Sequence, residues 1–402
     1  MSRLNAILLV VICLFASPAF SADRPVDTTT PTPAMIDEPE IDPATGLSRD
    51  TIVRPLLENA EMPQAGTART PPRARGRPHI ALILPTASPS LGPLAEALRQ
   101  GFAAAAQVAG RQAPPVNVTA VDGEGTVLVD ACRHSDETGA VVVVGGMTRD
   151  GAHTLATGNC TGEPVLVLNE VVLADPAARL PSNVFSISLS LDQEARQVAL
   201  MAVADGMRSA IVIASSSPLS RRVQEAFEAE WTRAAGEVRR VIYSGNPDDA
   251  PALREEVRGT RADMVFLALD PAEARTVRPY VSAMLPVYTT SFSVNPRAEA
   301  VVNVDLQGVR YGEMPWFVQP DSPAVAAYPP PKSSMSVDQE RLYALGIDAF
   351  RLALMLLRRE GDRPELDGVT GRIVLERPNV FTRILAPAEV DGGRVIPLRT
   401  VQ

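Results

Sequence analysis

The stretch PHIALILPTASPSLGPLAEALRQGF, Pro78–Phe102, decides the fold class. Its opening, HIALIL, is an unbroken apolar run rich in β-branched residues, which suits a strand covered on both faces. The loop PTASPSLG ends that run with prolines and hydroxyls. Beyond it Leu91, Leu94, Leu98, Phe102 and Ala105 fall at helical spacing. A buried strand feeding straight into an amphipathic helix is the repeating unit of parallel α/β sheets. The turn between them sets small hydroxyls and free backbone N–H groups at the carboxyl edge of a sheet, where open α/β folds bind ligands.

The unit recurs along the chain. VNVTAVD, AVVVVGG and PVLVLN continue the first series, and SAIVIASS, VRRVIYSG, DMVFLALD and PVYTTS form a second, each with helical segments between. The series part near VFSISLS, Val184–Ser190, which predicts two Rossmann-like lobes joined by hinge crossings rather than one sheet of eight strands. QERLYALGIDAFRLALMLLRR is apolar nearly all round and predicts a buried helix returning to the first lobe. The following TGRIVLERPNVFTRILAPAEVDGGRVIPL alternates at period two, with turn residues at Pro378–Asn379 and Asp391–Gly393, and predicts a terminal antiparallel meander. These patterns place lobe 1 at 77–187 plus 308–364 and lobe 2 at 188–307 plus 365–402.

The first residues, MSRLNAILLVVICLFASPAFSA, read as an export signal over 1–21: a basic Arg3, a short apolar core and small residues before the expected cut. The core is shorter than the about 20 residues a resident membrane helix needs, so no transmembrane segment is expected in the mature chain. Cys13 sits inside that core behind Ile12, which disfavours an outer-membrane lipid anchor. A periplasmic location is expected. Between residues 22 and 76 there are nine prolines with few aromatics, too little apolar area to offset the entropy of ordering, so a disordered linker is expected.

Once the signal is removed only Cys132 and Cys160 remain. In an oxidising compartment an isolated pair reads as a disulfide, worth roughly 3–4 kcal/mol in the chain-entropy model. A metal site would need His134 or His153 as further ligands, and their spacing matches no zinc pattern.

Across 402 residues the formal net charge is −9, which argues against nucleic acid or an anionic membrane as main partner. Lys332 is the single lysine, so lysine-dependent chemistry would rest on one residue. G-x-S-x-G, H-E-x-x-H and P-loop motifs are absent from the sequence. Pro329 stands where an S-x-x-K motif ending at Lys332 would need its serine. DGEGT, Asp122–Thr126, lacks the third glycine of a dinucleotide fingerprint and reads as a simple turn. No catalytic residue, metal or cofactor is expected. The candidate ligand contacts are the strand-to-helix loops: Thr86, Ser88 and Ser90; Gly146, Met147 and Thr148; Asn169; Ser215 and Ser216. Helix capping is the competing use of the same residue types.

IALILPTASPSLGPLAEALRQGF resembles the opening of type I periplasmic binding proteins, the family of the leucine/isoleucine/valine receptors, and a Cys132–Cys160 bridge resembles theirs. Three carboxyl-terminal blocks narrow the likeness: LQGVRYGEMPW (Leu306–Trp316), LYALGIDAFRLAL (Leu342–Leu354) and LDGVTGRIVLERPNVFTRIL (Leu366–Leu385). In that order they resemble the penicillin-binding protein activators within the same superfamily. The resemblance implies a non-catalytic envelope protein that regulates peptidoglycan synthesis by contacting a class A penicillin-binding protein. The alternative it implies is a receptor delivering an amino acid or similar small molecule to an ABC transporter. Where the receptors present hydroxyl residues to a ligand carboxylate, this chain has LNEVVLAD; Glu170 there would repel such a ligand unless it faces away.

Overall fold

Every residue of β1, His79–Leu84, is buried, as a strand covered on both faces requires. The computed structural model describes residues 76–173, 175, 178–234, 236–358, 364–377 and 379–398. The expected export signal, Cys13 and all but the last residue of the expected linker lie outside them.

In the first sheet β1 is flanked by β2 (Val116–Ala120) and β3 (Ala140–Gly145), both parallel to it; β4 (Val165–Val167) and β5 (Val184–Ser186) extend the parallel array. The second sheet is built from β6 (Ser209–Ser215), β7 (Glu237–Tyr243), β8 (Met264–Ala268), β9 (Val287–Tyr288) and β10 (Val309–Glu313), again parallel. The remaining strands divide. β11 (Glu365–Asp367), β12 (Arg372–Arg377) and β13 (Val380–Ile384) complete the first sheet, in the order β11-β12-β13-β5-β4-β3-β1-β2. β14 (Ala386–Asp391) and β15 (Arg394–Pro397) complete the second, in the order β15-β14-β10-β9-β8-β6-β7.

This corrects the expected lobe boundaries and the single terminal meander. β10, expected in lobe 1, pairs with β9 and β14 in the second sheet; β11–β13, expected in lobe 2, pair through β13 with β5 in the first. The chain therefore crosses near 187–190, 314 and 385. Period-two alternation identifies a strand but not its sheet, because that choice is made by pairing between residues far apart in sequence.

Helices cover both faces of each sheet. In the first lobe α1 (Gly92–Ala109) and the long helix Val337–Arg358 pack on one face, while α2 (Thr126–Glu137) and α3 (Arg149–Thr157) cover the other. In the second lobe α4 (Leu191–Ala204) and α5 (Pro218–Ala234) oppose α6 (Ala250–Gly259) and α7 (Pro271–Val277). A disulfide ties Cys132, within α2, to Cys160 just beyond α3. Among the described residues no helix is long and apolar enough to cross a membrane.

Candidate interlobe site

The turn before α3 supplies what an anion-binding site needs: free N–H groups at the start of a helix. The occupant is internal. The Glu124 carboxylate, from DGEGT, accepts hydrogen bonds from Met147 N–H and Thr148 N–H, each at 2.7 Å. Thr148 caps the helix, its Oγ1 accepting from Gly151 N–H at 3.0 Å. Gly146 is buried with φ +67°, and a Cβ there would lie 2.9 Å from Ala152 Cα, so the loop lies against its own helix. Asn169 joins this cluster: its Nδ2 donates to Met147 O at 2.8 Å and its Oδ1 accepts from Glu170 N–H.

Glu170, which also lines a cavity beside the crossings, has an arginine beside its carboxylate. Arg149 Nη2 lies 3.7 Å from Glu170 and 3.7 Å from Asp192 at the start of α4 on the second lobe; Asp192 in turn accepts from Arg222 Nε at 2.8 Å. A four-residue ion network thus spans the lobes beside the α3 turn.

The other candidates are held locally. Ser88 Oγ accepts from Leu91 N–H and lies 3.4 Å from Ser90 Oγ. Buried Ser215 donates its N–H to Ser220 Oγ at 2.7 Å and its hydroxyl to Ser217 Oγ. Thr86 and Ser216 make no side-chain hydrogen bond among the described residues. The structure therefore joins Met147, Thr148 and Asn169, while Ser88, Ser90 and Ser215 bond locally and the Thr86 and Ser216 side chains join neither cluster.

Behind this cluster the three crossings are fastened by buried charge. Arg383, 2% exposed, donates Nε to Ser188 O at 2.9 Å and Nη1 to Thr370 O at 3.1 Å, and lies 3.5 Å from Glu194 of α4. Burial pushes the Glu194 carboxyl up and the Arg383 guanidinium down, each opposed by the other's charge. Glu194 also accepts from Ser291 N–H and Oγ. Arg341 of the long helix forms a two-pronged pair with Glu313 of β10, at 2.8 and 2.9 Å. Burial works against the Arg341 charge, but Glu313 and Glu194 outweigh it and hold the guanidinium above its usual range. At the rim Arg297 pairs with Glu340, which also accepts from Trp316 Nε1. Beside the crossings a cavity of about 600 Å3 opens between Glu170, Val171, Leu180, α4 and Phe381.

Sequence reasoning missed Glu124, which it placed in a simple turn, and the arginine partners. The signal for Glu124 was present but weak: an acidic residue in a glycine-rich turn at a sheet edge, beside a helix start whose N–H groups needed an acceptor.

A family model described as "LppC putative lipoprotein" matches residues 75–258 and 252–393. Among curated proteins, "Penicillin-binding protein activator LpoA" of Edwardsiella ictaluri is 24% identical over 328 residues, covering 71% of this chain and 47% of that protein. The protein of the same description from Escherichia coli K12 is 23% identical, covering 71% and 48%. The chain spans about half the length of these curated relatives. Among solved structures, one described as a "putative branched-chain amino acid ABC transporter" from Chromobacterium violaceum is 38% identical, with TM-score 0.67 over 77% of this chain and 99% of that one. The LpoA C-domain from Haemophilus influenzae, described as "a regulator of PBP1A", is 21% identical, with TM-score 0.64 over 80% of this chain and all of that domain. The fold is thus that of the LpoA C-domain and of type I periplasmic binding proteins.

Proposed function

This chain belongs to the LppC family, and on that premise we propose that it is a non-catalytic envelope protein that stimulates a class A penicillin-binding protein by contact. The observation that carries this reading is the match, across both lobes, to curated relatives named penicillin-binding protein activators. The occupied turn before α3 supports it. The N–H pair before α3, one of the candidate ligand contacts, already holds Glu124, and Arg149 bridges to Asp192 across the lobes. A protein that works through its surface has no need of an open cleft. The periplasm is where such a partner would be met, and exported residues 22–76 would serve as the tether.

A second reading has its own support: the Chromobacterium structure, at 38% identity, is described as a "putative branched-chain amino acid ABC transporter". One experiment separates them. The purified protein is added to a class A penicillin-binding protein from the same organism while glycan polymerisation is followed, and its melting temperature is measured with and without branched-chain amino acids. The activator reading expects faster polymerisation and an unmoved melting temperature. A ligand that binds only the folded state adds RT ln(1 + [L]/Kd) to stability. A clear upward shift with no change in polymerisation would therefore overturn the first reading in favour of the second.

A further inference from the structure

On the far side of the second lobe four arginines surround one cavity of about 580 Å3: Arg254 and Arg258 on α6, Arg261 just beyond it, and Arg278 following α7. No aspartate or glutamate lines it. In a chain of net charge −9 this is a local inversion of sign. Arg258 is compensated by Glu255 at 3.0 Å. The other three have no carboxylate within ion-pair distance among the described residues. Arg254 lies over the Tyr280 ring, 5.3 Å from its centroid, which fixes its direction without cancelling its charge. Arg261 has no partner among the described residues.

Arg278 is the discriminating residue. It is half-buried, and its guanidinium reaches backbone carbonyls alone: Nη2 donates to Gln307 O at 2.9 Å and Nη1 to Val281 O at 3.4 Å. Its Nε is buried with no hydrogen-bond partner. The two carbonyl bonds hold the guanidinium in place beside the cavity, and no carboxylate among the described residues offsets its charge.

We propose that this cavity binds a phosphate-bearing ligand of at least two negative charges, a phosphate monoester or a diphosphate. A single carboxylate would neutralise one of three uncompensated guanidiniums. Phosphate oxygens match the arginine fork and accept from several at once. Exposed Ser282, Ala283 and Met284 border the same opening, the Ser282 hydroxyl accepting from Met284 N–H. This inference stands apart from the activator reading, because it concerns another face of the molecule.

The test is calorimetric titration of sodium pyrophosphate into the intact protein and into the double variant Arg254→Gln/Arg261→Gln. Both positions are exposed, so the variant is expected to keep its circular dichroism and melting temperature. The parent should bind saturably, more weakly as salt is raised, while acetate gives no saturable heat. The double variant should bind at least tenfold more weakly. Glycerol phosphate and phosphatidylcholine vesicles doped with phosphatidic acid then separate the sources. Sedimentation with the doped vesicles, lost in the variant, assigns a lipid headgroup; binding of glycerol phosphate alone assigns a soluble phosphate ester. No saturable pyrophosphate binding, or equal affinity in parent and variant, overturns the site.

Discussion

Glu124 shows how much one side chain can redirect a reading. Its carboxylate satisfies two N–H groups, Met147 and Thr148, more than twenty residues away, and complements the positive end of α3. Replacing it with alanine leaves both donors without that acceptor. Because Glu124 is half-buried, water recovers part of the loss, and Glu124→Ala is expected to lower the unfolding free energy by about 1–2 kcal/mol in urea titrations. The variant should also gain something the parent lacks: stabilisation by sulfate or acetate entering the vacated anion position. An Ala variant as stable as the parent and indifferent to anions would remove Glu124 from the site. The loop chemistry was legible at this scale: N–H groups at a helix start at the sheet edge need an anion. The sequence could not say that the anion is internal, because side-chain reach between DGEGT and GGMT depends on the parallel packing of β1, β2 and β3 and not on any local pattern. Thr148 was legible as a cap with ligand contact as the competing use, and capping is what its hydrogen bond shows, whereas Ser88 bonds to Leu91 N–H within its loop.

Among the elements, the long helix Val337–Arg358 was the most readable and its partner the least. Its all-round apolarity announces burial, and 13 of its 22 residues are buried. That α1 lies against it could not be read from periodicity, although two glycines mark the contact. A Cβ on Gly101 would stand 1.8 Å from Tyr343 O, and one on Gly346 2.1 Å from Leu98 O, so the two backbones approach more closely than alanine permits. Phe102 and Phe350 meet edge to face beside the crossing, with ring centroids 5.2 Å apart. Helix propensity alone favours Gly346→Ala by about 1 kcal/mol. Forced separation of two packed helices costs about 1–3 kcal/mol, and here it should win. The expected result is net destabilisation in urea, with an unchanged slope if both states keep their compactness. A stabilised variant would mean that the helices can part without loss. The strands teach the complementary lesson. Buried parallel strands β1, β3, β6 and β8 were readable as continuous apolar runs, whereas β12 and β13 were readable as strands without their sheet, and β10 and β11 were not read as strands. Their sheets follow from contacts such as Val380 with Ser186 and Val309 with Val287, which no local window contains.

At the scale of the whole molecule the question is whether two lobes behave as one body. Three crossings alone would allow the hinge bending that serves solute receptors. Here Ser188, Glu313 and Arg383, at or beside the crossings, are all bound into the buried charge cluster that includes Glu194 of one lobe and Arg341 of the other. Removing one member of such a pair leaves its partner buried and uncompensated, at a cost of about 3–5 kcal/mol. Arg341→Met should carry that cost, since Glu313 has no exposed surface into which to turn its charge. Arg297→Ala should cost less, because Arg297 is 49% exposed and its partner Glu340 keeps Trp316 Nε1 as a donor. Scanning calorimetry supplies the further readout. If the cluster couples the lobes, the parent and Arg297→Ala unfold in a single transition whose calorimetric and van't Hoff enthalpies agree, while Arg341→Met divides into two. Two transitions already in the parent, or equal losses in the two variants, would mean that the cluster does not couple the lobes and that the cleft is free to open and close like a receptor's.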